Sequence, residues 1–117
     1  MNLNIPHQEI VINFYGKTAQ IIIIMEELSE LIQAVSKMHR FDKGKQFDAD
    51  AGYDLYCNLV EEMADVLIVL RQIQTIYHIS DTELQEYIDK KIKRQKARME
   101  DIHEGNKKRR AGGSVQN

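Results

Sequence analysis

The sequence predicts an all-α, four-helix-bundle-like domain, and three observations carry that prediction. Helix breakers are scarce, because the 117 residues contain one proline, Pro6, and six glycines, and the stretches between them have no turn signals. Apolar residues recur at helical spacing in two long segments. The sequence Ser-Asp-Thr-Glu that begins at Ser80 has the pattern of a helix-capping box.

Each element follows from where these signals fall. The expected helices span residues 7–14, 17–39, 54–77 and 81–102. A break at Tyr15-Gly16 separates the first two helices. Residues 41–53 (FDKGKQFDADAGY) are rich in Asp, Lys and Gly, so we expect a loop there. The helical domain is then expected to span residues 1–104. Residues 105–117, with KKRR and GGS, have nothing to bury and are expected to form a disordered basic tail.

Composition narrows the class of protein. The apolar fraction of 43% and the charged fraction of 29% are ordinary for a soluble globular protein. A net charge of −2 argues against a nucleic-acid partner, which normally needs a basic excess. The single cysteine, Cys57, excludes an intramolecular disulfide and is consistent with the cytoplasm. We expect no signal peptide and no membrane partner, because the apolar runs are too short to span a bilayer.

The apolar pattern of the long helices predicts a core face and a second covered face. On a helical wheel, the expected core stripe lies opposite Glu26 and Glu30 and contains Ile24, Leu28, Leu31 and Val35. The runs 21–24 and 66–70, however, place apolar side chains around most of the helix circumference. A helix that is apolar on all sides must bury more of its surface than a small monomer allows. We therefore expect a homodimer or a homotetramer.

Two groups of acidic residues are the candidates for a metal-binding site. Glu27 with Glu30, and Glu62 with Asp65, are each three residues apart, so each pair shares a helix face. A helical hairpin can bring the two pairs face to face, and four converging carboxylates need a cation to relieve their repulsion. Oxygen ligands alone favour Mg²⁺, or Mn²⁺, over zinc. The competing interpretation is that these acids are ordinary solvated surface residues.

These motifs resemble a known family. EELSELIQAVSK, EEMADVLIVLRQI and the Lys91-x-x-x-Gln95-x-x-Arg98 pattern together are similar to the MazG-like all-α nucleoside triphosphate pyrophosphohydrolases, relatives of the dimeric dUTPases. The segment YGKTAQ resembles small phage-type members. In three places the chain departs from the family pattern. Gln95 stands where the family has Asn, and Met99 stands where an aromatic residue often follows. The 31 residues between Glu30 and Glu62 form a longer gap than many members have. The resemblance implies Mg²⁺-dependent hydrolysis of a nucleoside triphosphate, preferably a deoxynucleotide, to the monophosphate and pyrophosphate.

Site roles follow from these motifs and from the chemistry of each side chain. The expected Mg²⁺ ligands are Glu27, Glu30, Glu62 and Asp65. The expected catalytic bases, which would activate water from outside the metal shell, are Glu26 and Glu61. The expected substrate-binding residues are Lys91, Gln95 and Arg98 toward the phosphates, and Gln20 and Asn58 toward the base. Arginine can donate two hydrogen bonds to phosphate oxygens, and lysine provides a point charge. Side-chain amides can form hydrogen bonds with the edge of a nucleotide base.

Two other classes of protein fit parts of this pattern. The first is a non-catalytic helical module that acts through oligomerisation or partner-binding faces, with acids only on its surface. The second is a di-iron carboxylate bundle. Such bundles use Glu-x-x-His pairs, and no histidine stands three residues after any glutamate of the two acidic groups, which disfavours iron.

Overall fold

The structure is a computed structural model that describes residues 3–44 and 49–116. These residues form four α-helices and no strand, so the predicted all-α fold is confirmed. The helices are α1 (Gln8–Tyr15), α2 (Lys17–Asp42), α3 (Ala49–Tyr77) and α4 (Asp81–Gln116). The chain divides into two compact units, Met1–His78 and Ile79–Asn117. In the first unit α2 and α3 pack against each other as an antiparallel hairpin, and α1 packs on both of them.

The corner between α1 and α2 depends on one glycine. Gly16 ends α1 by donating its backbone N–H to the Ile12 carbonyl at 2.8 Å, and it also precedes the first residue of α2. Its φ of 91° and ψ of 148° lie in a region that residues with a Cβ atom essentially never adopt. Gly16 thus allows two helices to follow each other without a linker.

The core of the first unit is small. Its buried apolar side chains are Ile12, Ile24, Ala34, Val66 and Val69. The prediction that Val35 belongs to the core face is wrong, because Val35 is 51% exposed whereas Ala34 is 2% exposed. The face of α2 that meets α3 is rotated toward Ala34, since small side chains there let the two helices approach closely.

The loop between α2 and α3 is shorter than predicted. Residues 41–53 were expected to form it, but α2 continues to Asp42 and α3 begins at Ala49. The physical reason is a contact between the helices: a Cβ at Gly52 would lie 3.0 Å from Cε1 and Cζ of the Phe41 ring. Phe41 therefore packs directly over Gly52, which extends the hairpin on both sides.

In the second unit, α4 begins where the capping box predicts. The Ser80 hydroxyl accepts a hydrogen bond from the Glu83 backbone N–H at 3.1 Å, which fixes the first turn. The helix continues to Gln116, beyond the end predicted near Ile102, and residues 107–111 (KKRRA) of this extension are good helix formers. The separation of residues 105–117 as a tail outside a 1–104 domain stays a prediction. None of the helices, as far as they are described, has the length and apolar character needed to cross a membrane.

Candidate metal centre

Three glutamates meet where α2 faces α3. Glu27, Glu30 and Glu62 can each place one carboxylate oxygen so that all three oxygens lie within 4.8 Å of one another. Glu27 and Glu62 are half-buried and Glu30 is exposed, so the group lies at the rim of the helix–helix interface. The predicted convergence of the two acidic motifs is therefore present in the hairpin.

Asp65 joins this group through Glu27. The carboxyl groups of Glu27 and Asp65 lie close enough across the two helices to interact, and so do those of Glu62 and Glu30. Both contacts connect α2 to α3, and all four predicted ligands form one acidic cluster of Glu27, Glu30, Glu62 and Asp65.

The environment of the cluster raises the pKa of Glu27 and of Glu62. Desolvation raises the pKa of Glu27 above its ordinary value, and the charges of Asp65, Glu30 and Glu62 raise it further. Desolvation likewise raises the pKa of Glu62, with the charges of Glu30 and Asp65 next in importance. Burial and like charges both disfavour the ionised form. The folded chain therefore holds negative charge there at a free-energy cost that a proton or a cation relieves.

Two oxygens of the cluster have no partner. Oε2 of Glu27 and Oε2 of Glu62 are buried and accept no hydrogen bond from the residues that the structure describes, although buried polar atoms normally have one. Both atoms belong to acids of the same cluster. Oxygen-only donors with unused lone pairs fit a hard divalent cation such as Mg²⁺. The residues present are therefore suited to the metal that the sequence predicts.

The candidate bases and amides occupy different environments. Glu26 and Glu61 are exposed, and Glu61 is near enough to Glu62 to contribute to its raised pKa. Asn58 is half-buried, one turn before Glu62. Gln20, by contrast, is 3% exposed. The assignment of these residues to catalysis and base binding stays a prediction.

Gln20 belongs to a chain of amide hydrogen bonds that crosses the three helices of the first unit. Its Nε2 donates to Oε1 of Gln72 at 3.0 Å, and Nε2 of Gln72 donates to Oε1 of Gln8 at 2.9 Å. Gln72 is 3% exposed and is a residue that the sequence analysis missed. The available signal was its spacing, since Gln72 follows Asp65 by seven residues and so lies on nearly the same helix face.

The predicted phosphate-binding residues lie in the second unit. Lys91, Gln95 and Arg98 are exposed on α4. They are three or four residues apart and therefore share one face of that helix. Their proposed contact with substrate stays a prediction.

A comparison with known families decides what kind of protein this is. The model of the MazG nucleotide pyrophosphohydrolase domain matches residues 16–99, which is well over half of the chain and includes both acidic motifs. The chain belongs to the MazG family. This MazG chain is thus a member of a hydrolase family that acts on nucleotides. No curated protein and no solved structure matches it.

Proposed function

We propose that this MazG protein hydrolyses a nucleoside triphosphate, preferably a deoxynucleotide, to the monophosphate and pyrophosphate in a Mg²⁺-dependent reaction. The observation that carries the proposal is the acidic cluster, in which side chains from both family motifs meet across α2 and α3. The family match supports the reaction class. The cytoplasm, where nucleotides and Mg²⁺ are abundant, is the compartment we expect.

The acidic cluster would hold the metal. Glu27 and Glu62 offer buried oxygens that lack a hydrogen-bond partner within the described part of the chain, and Glu30 and Asp65 lie close to these two residues. When bound, Mg²⁺ neutralises phosphate charge and acts as a Lewis acid on a phosphoryl oxygen. Mn²⁺ has similar ligand preferences and would substitute for it.

Other side chains of the chain would position the reactants. Glu26 and Glu61 lie beside the cluster and are exposed, so either can accept a proton from the attacking water. Lys91 and Arg98 carry positive charge on α4, and we assign them, with Gln95, to the phosphate chain that leaves as pyrophosphate. Phosphoryl transfer needs mainly positioned charge of this kind.

We further propose that the protein acts as a homodimer or a homotetramer, because α3 has a second apolar face. The outer seam of α3, on a face away from α2, repeats every three and four residues and consists of Tyr53, Tyr56, Val60, Met63, Leu67 and Leu70. All of these side chains are exposed except the half-buried Leu67. Alternating three- and four-residue spacing is the pattern of helices that pack into bundles, so a second hairpin is the partner we expect.

A panel of nucleoside triphosphates, assayed for pyrophosphate release with and without Mg²⁺, tests the proposed function. We expect release from at least one deoxynucleoside triphosphate, dependence on Mg²⁺ or Mn²⁺, and loss of release in Glu27→Gln. A matched control is Asp54→Asn, an exposed acid of α3 outside the cluster, which should retain wild-type turnover. Absence of release across the panel, together with a melting temperature that Mg²⁺ leaves unchanged, would favour the non-catalytic helical module instead.

A further inference from the structure

We propose that Gln20 and Gln72 are positioning residues that lock the register of α2 against α3 and thereby keep the acidic cluster assembled. This inference rests on the proposed metal-binding function of the cluster. It starts from the 3.0 Å hydrogen bond between the two amides, which are both buried in the helix–helix interface.

The amide pair and the carboxylate pairs follow one register. Gln20 precedes Glu27 by seven residues, and Gln72 follows Asp65 by seven residues. Because the two helices are antiparallel, the Gln20–Gln72 bond and the Glu27–Asp65 pair are two turns apart along the same interface. The Glu30–Glu62 pair lies three residues further on each helix. One alignment of the helices therefore makes all three pairs at once.

The heptad-spaced apolar residues do not by themselves select that alignment, although the contact of Phe41 with Gly52 belongs to it alone. Ile24 and Leu31 on α2 are seven residues apart, and so are Leu59, Val66 and Ile73 on α3. All five side chains are buried or half-buried. Sliding one helix by seven residues would therefore place apolar side chains against apolar side chains again.

Electrostatics within the cluster favour such a slip when no cation is bound. In the observed register Glu27 faces Asp65, and both helices bring negative charge to the same place. A seven-residue slip in one direction would place Glu27 opposite Asn58 and move it away from Asp65. The same slip would bring Gln20 opposite Asp65 but would separate Gln72 from both Gln20 and Gln8, so the buried amide of Gln72 would lose its partners. Unpaired buried polar groups are costly, which opposes the slip. Buried amides fix the register of coiled coils in the same way.

The double variant Gln20→Met/Gln72→Met tests the lock, because methionine keeps the length of the side chain and removes the hydrogen bond. We expect it to fold with a melting temperature at or above that of the wild type. We also expect extra sets of backbone amide signals for α2 and α3 in NMR spectra, and a Mn²⁺ affinity weakened roughly tenfold to a hundredfold, the usual effect of losing support around metal ligands. Gln33→Met, the same change at an exposed position of α2, is the matched control and should behave as the wild type.

Two single variants separate the lock from other roles of these residues. Gln8→Ala removes the bond from Gln72 to α1 and the bond from Gln8 to the Pro6 carbonyl, but it leaves the Gln20–Gln72 bond, so it should keep one set of signals and wild-type Mn²⁺ affinity. If the double variant does not fold, Gln20→Met alone decides by the same two measurements. One set of signals with wild-type Mn²⁺ affinity in the folded Gln20 variants overturns the lock, and a raised KM in that case would assign Gln20 to substrate instead. Failure of wild-type protein to bind Mn²⁺ would contradict the proposed function, whereas the NMR signals would still report the register.

Discussion

Glu27 on α2 lies close to Asp65 on α3, although both are acids, and burial together with the charge of Asp65 raises the pKa of Glu27. The pair therefore marks a place where the folded chain concentrates more negative charge than it can stabilise alone. The acidic cluster is thus a charge-dense site at the rim of a small core. Its response to substitution, pH and metal follows from that property.

Neutralising one acid of the cluster should separate function from stability. We expect Glu62→Gln to lose hydrolysis, because a metal ligand is removed, while the metal-free protein melts at the wild-type temperature or above it. Turnover and thermal unfolding of the same samples check this. Asp54→Asn serves as the control in the same helix, and wild-type turnover in Glu62→Gln would remove the cluster from the mechanism.

The metal-free protein should gain stability as the pH falls from 7 toward about 5. The pKa values of Glu27 and Glu62 are raised in the folded state, so above roughly pH 4.3, the ordinary value for Glu, the folded chain binds more protons than the unfolded chain. Stability then decreases as the pH rises through this window. Melting temperatures measured across this pH range in the presence of a metal chelator test the direction in which stability changes with pH.

The same pH range allows a control that identifies which groups cause the pH dependence of stability. The double variant Glu27→Gln/Glu62→Gln cannot titrate at these positions and should show a flatter profile. Saturating Mg²⁺ should flatten the wild-type profile as well, because the cation replaces the protons. An equally steep profile in the double variant would assign the trend to other groups.

Gly16→Ala should destabilise the first unit through the backbone alone. No atom lies within 4 Å of a Cβ built at this position, so the cost comes from the φ and ψ angles and should be about 1–3 kcal/mol. Denaturant unfolding gives the value. Thr18→Ala, at an exposed position in the first turn of α2, should change the free energy of unfolding by less than about 0.5 kcal/mol.

The oligomer should depend on the outer seam of α3. Light scattering should give a multiple of the 13.6 kDa chain, and Val60→Glu/Met63→Glu should shift the mass toward the monomer because it places charge in an apolar interface. Met99→Glu, at a more exposed apolar position on α4, should leave the mass unchanged. A wild-type mass of 13.6 kDa at micromolar concentration would rule out the proposed assembly.

The sequence predicted the helices and the acidic cluster because both depend on local spacing. Glu27 with Glu30, and Glu62 with Asp65, must share helix faces wherever those helices form. The extent of the hairpin was not predictable in this way, because it depends on the Phe41 ring packing over Gly52. Both residues lie in a stretch whose composition is typical of a loop.

Two further features escaped sequence reasoning because they depend on how the helices rotate against each other. Ala34, and not Val35, faces α3, and a wheel built on apolar residues favours the larger side chain. The role of Gln72 requires knowledge of the antiparallel register that brings it to Gln20. A buried amide in a helix looks the same in sequence as a solvated one.

The position of bond cleavage tests the central claim most directly. Hydrolysis with Mg²⁺ in ¹⁸O-labelled water, followed by mass spectrometry of the products, shows which phosphorus the water attacks. Attack at the α-phosphorus predicts one ¹⁸O atom in the nucleoside monophosphate and unlabelled pyrophosphate. Labelled orthophosphate together with a nucleoside diphosphate would contradict the account.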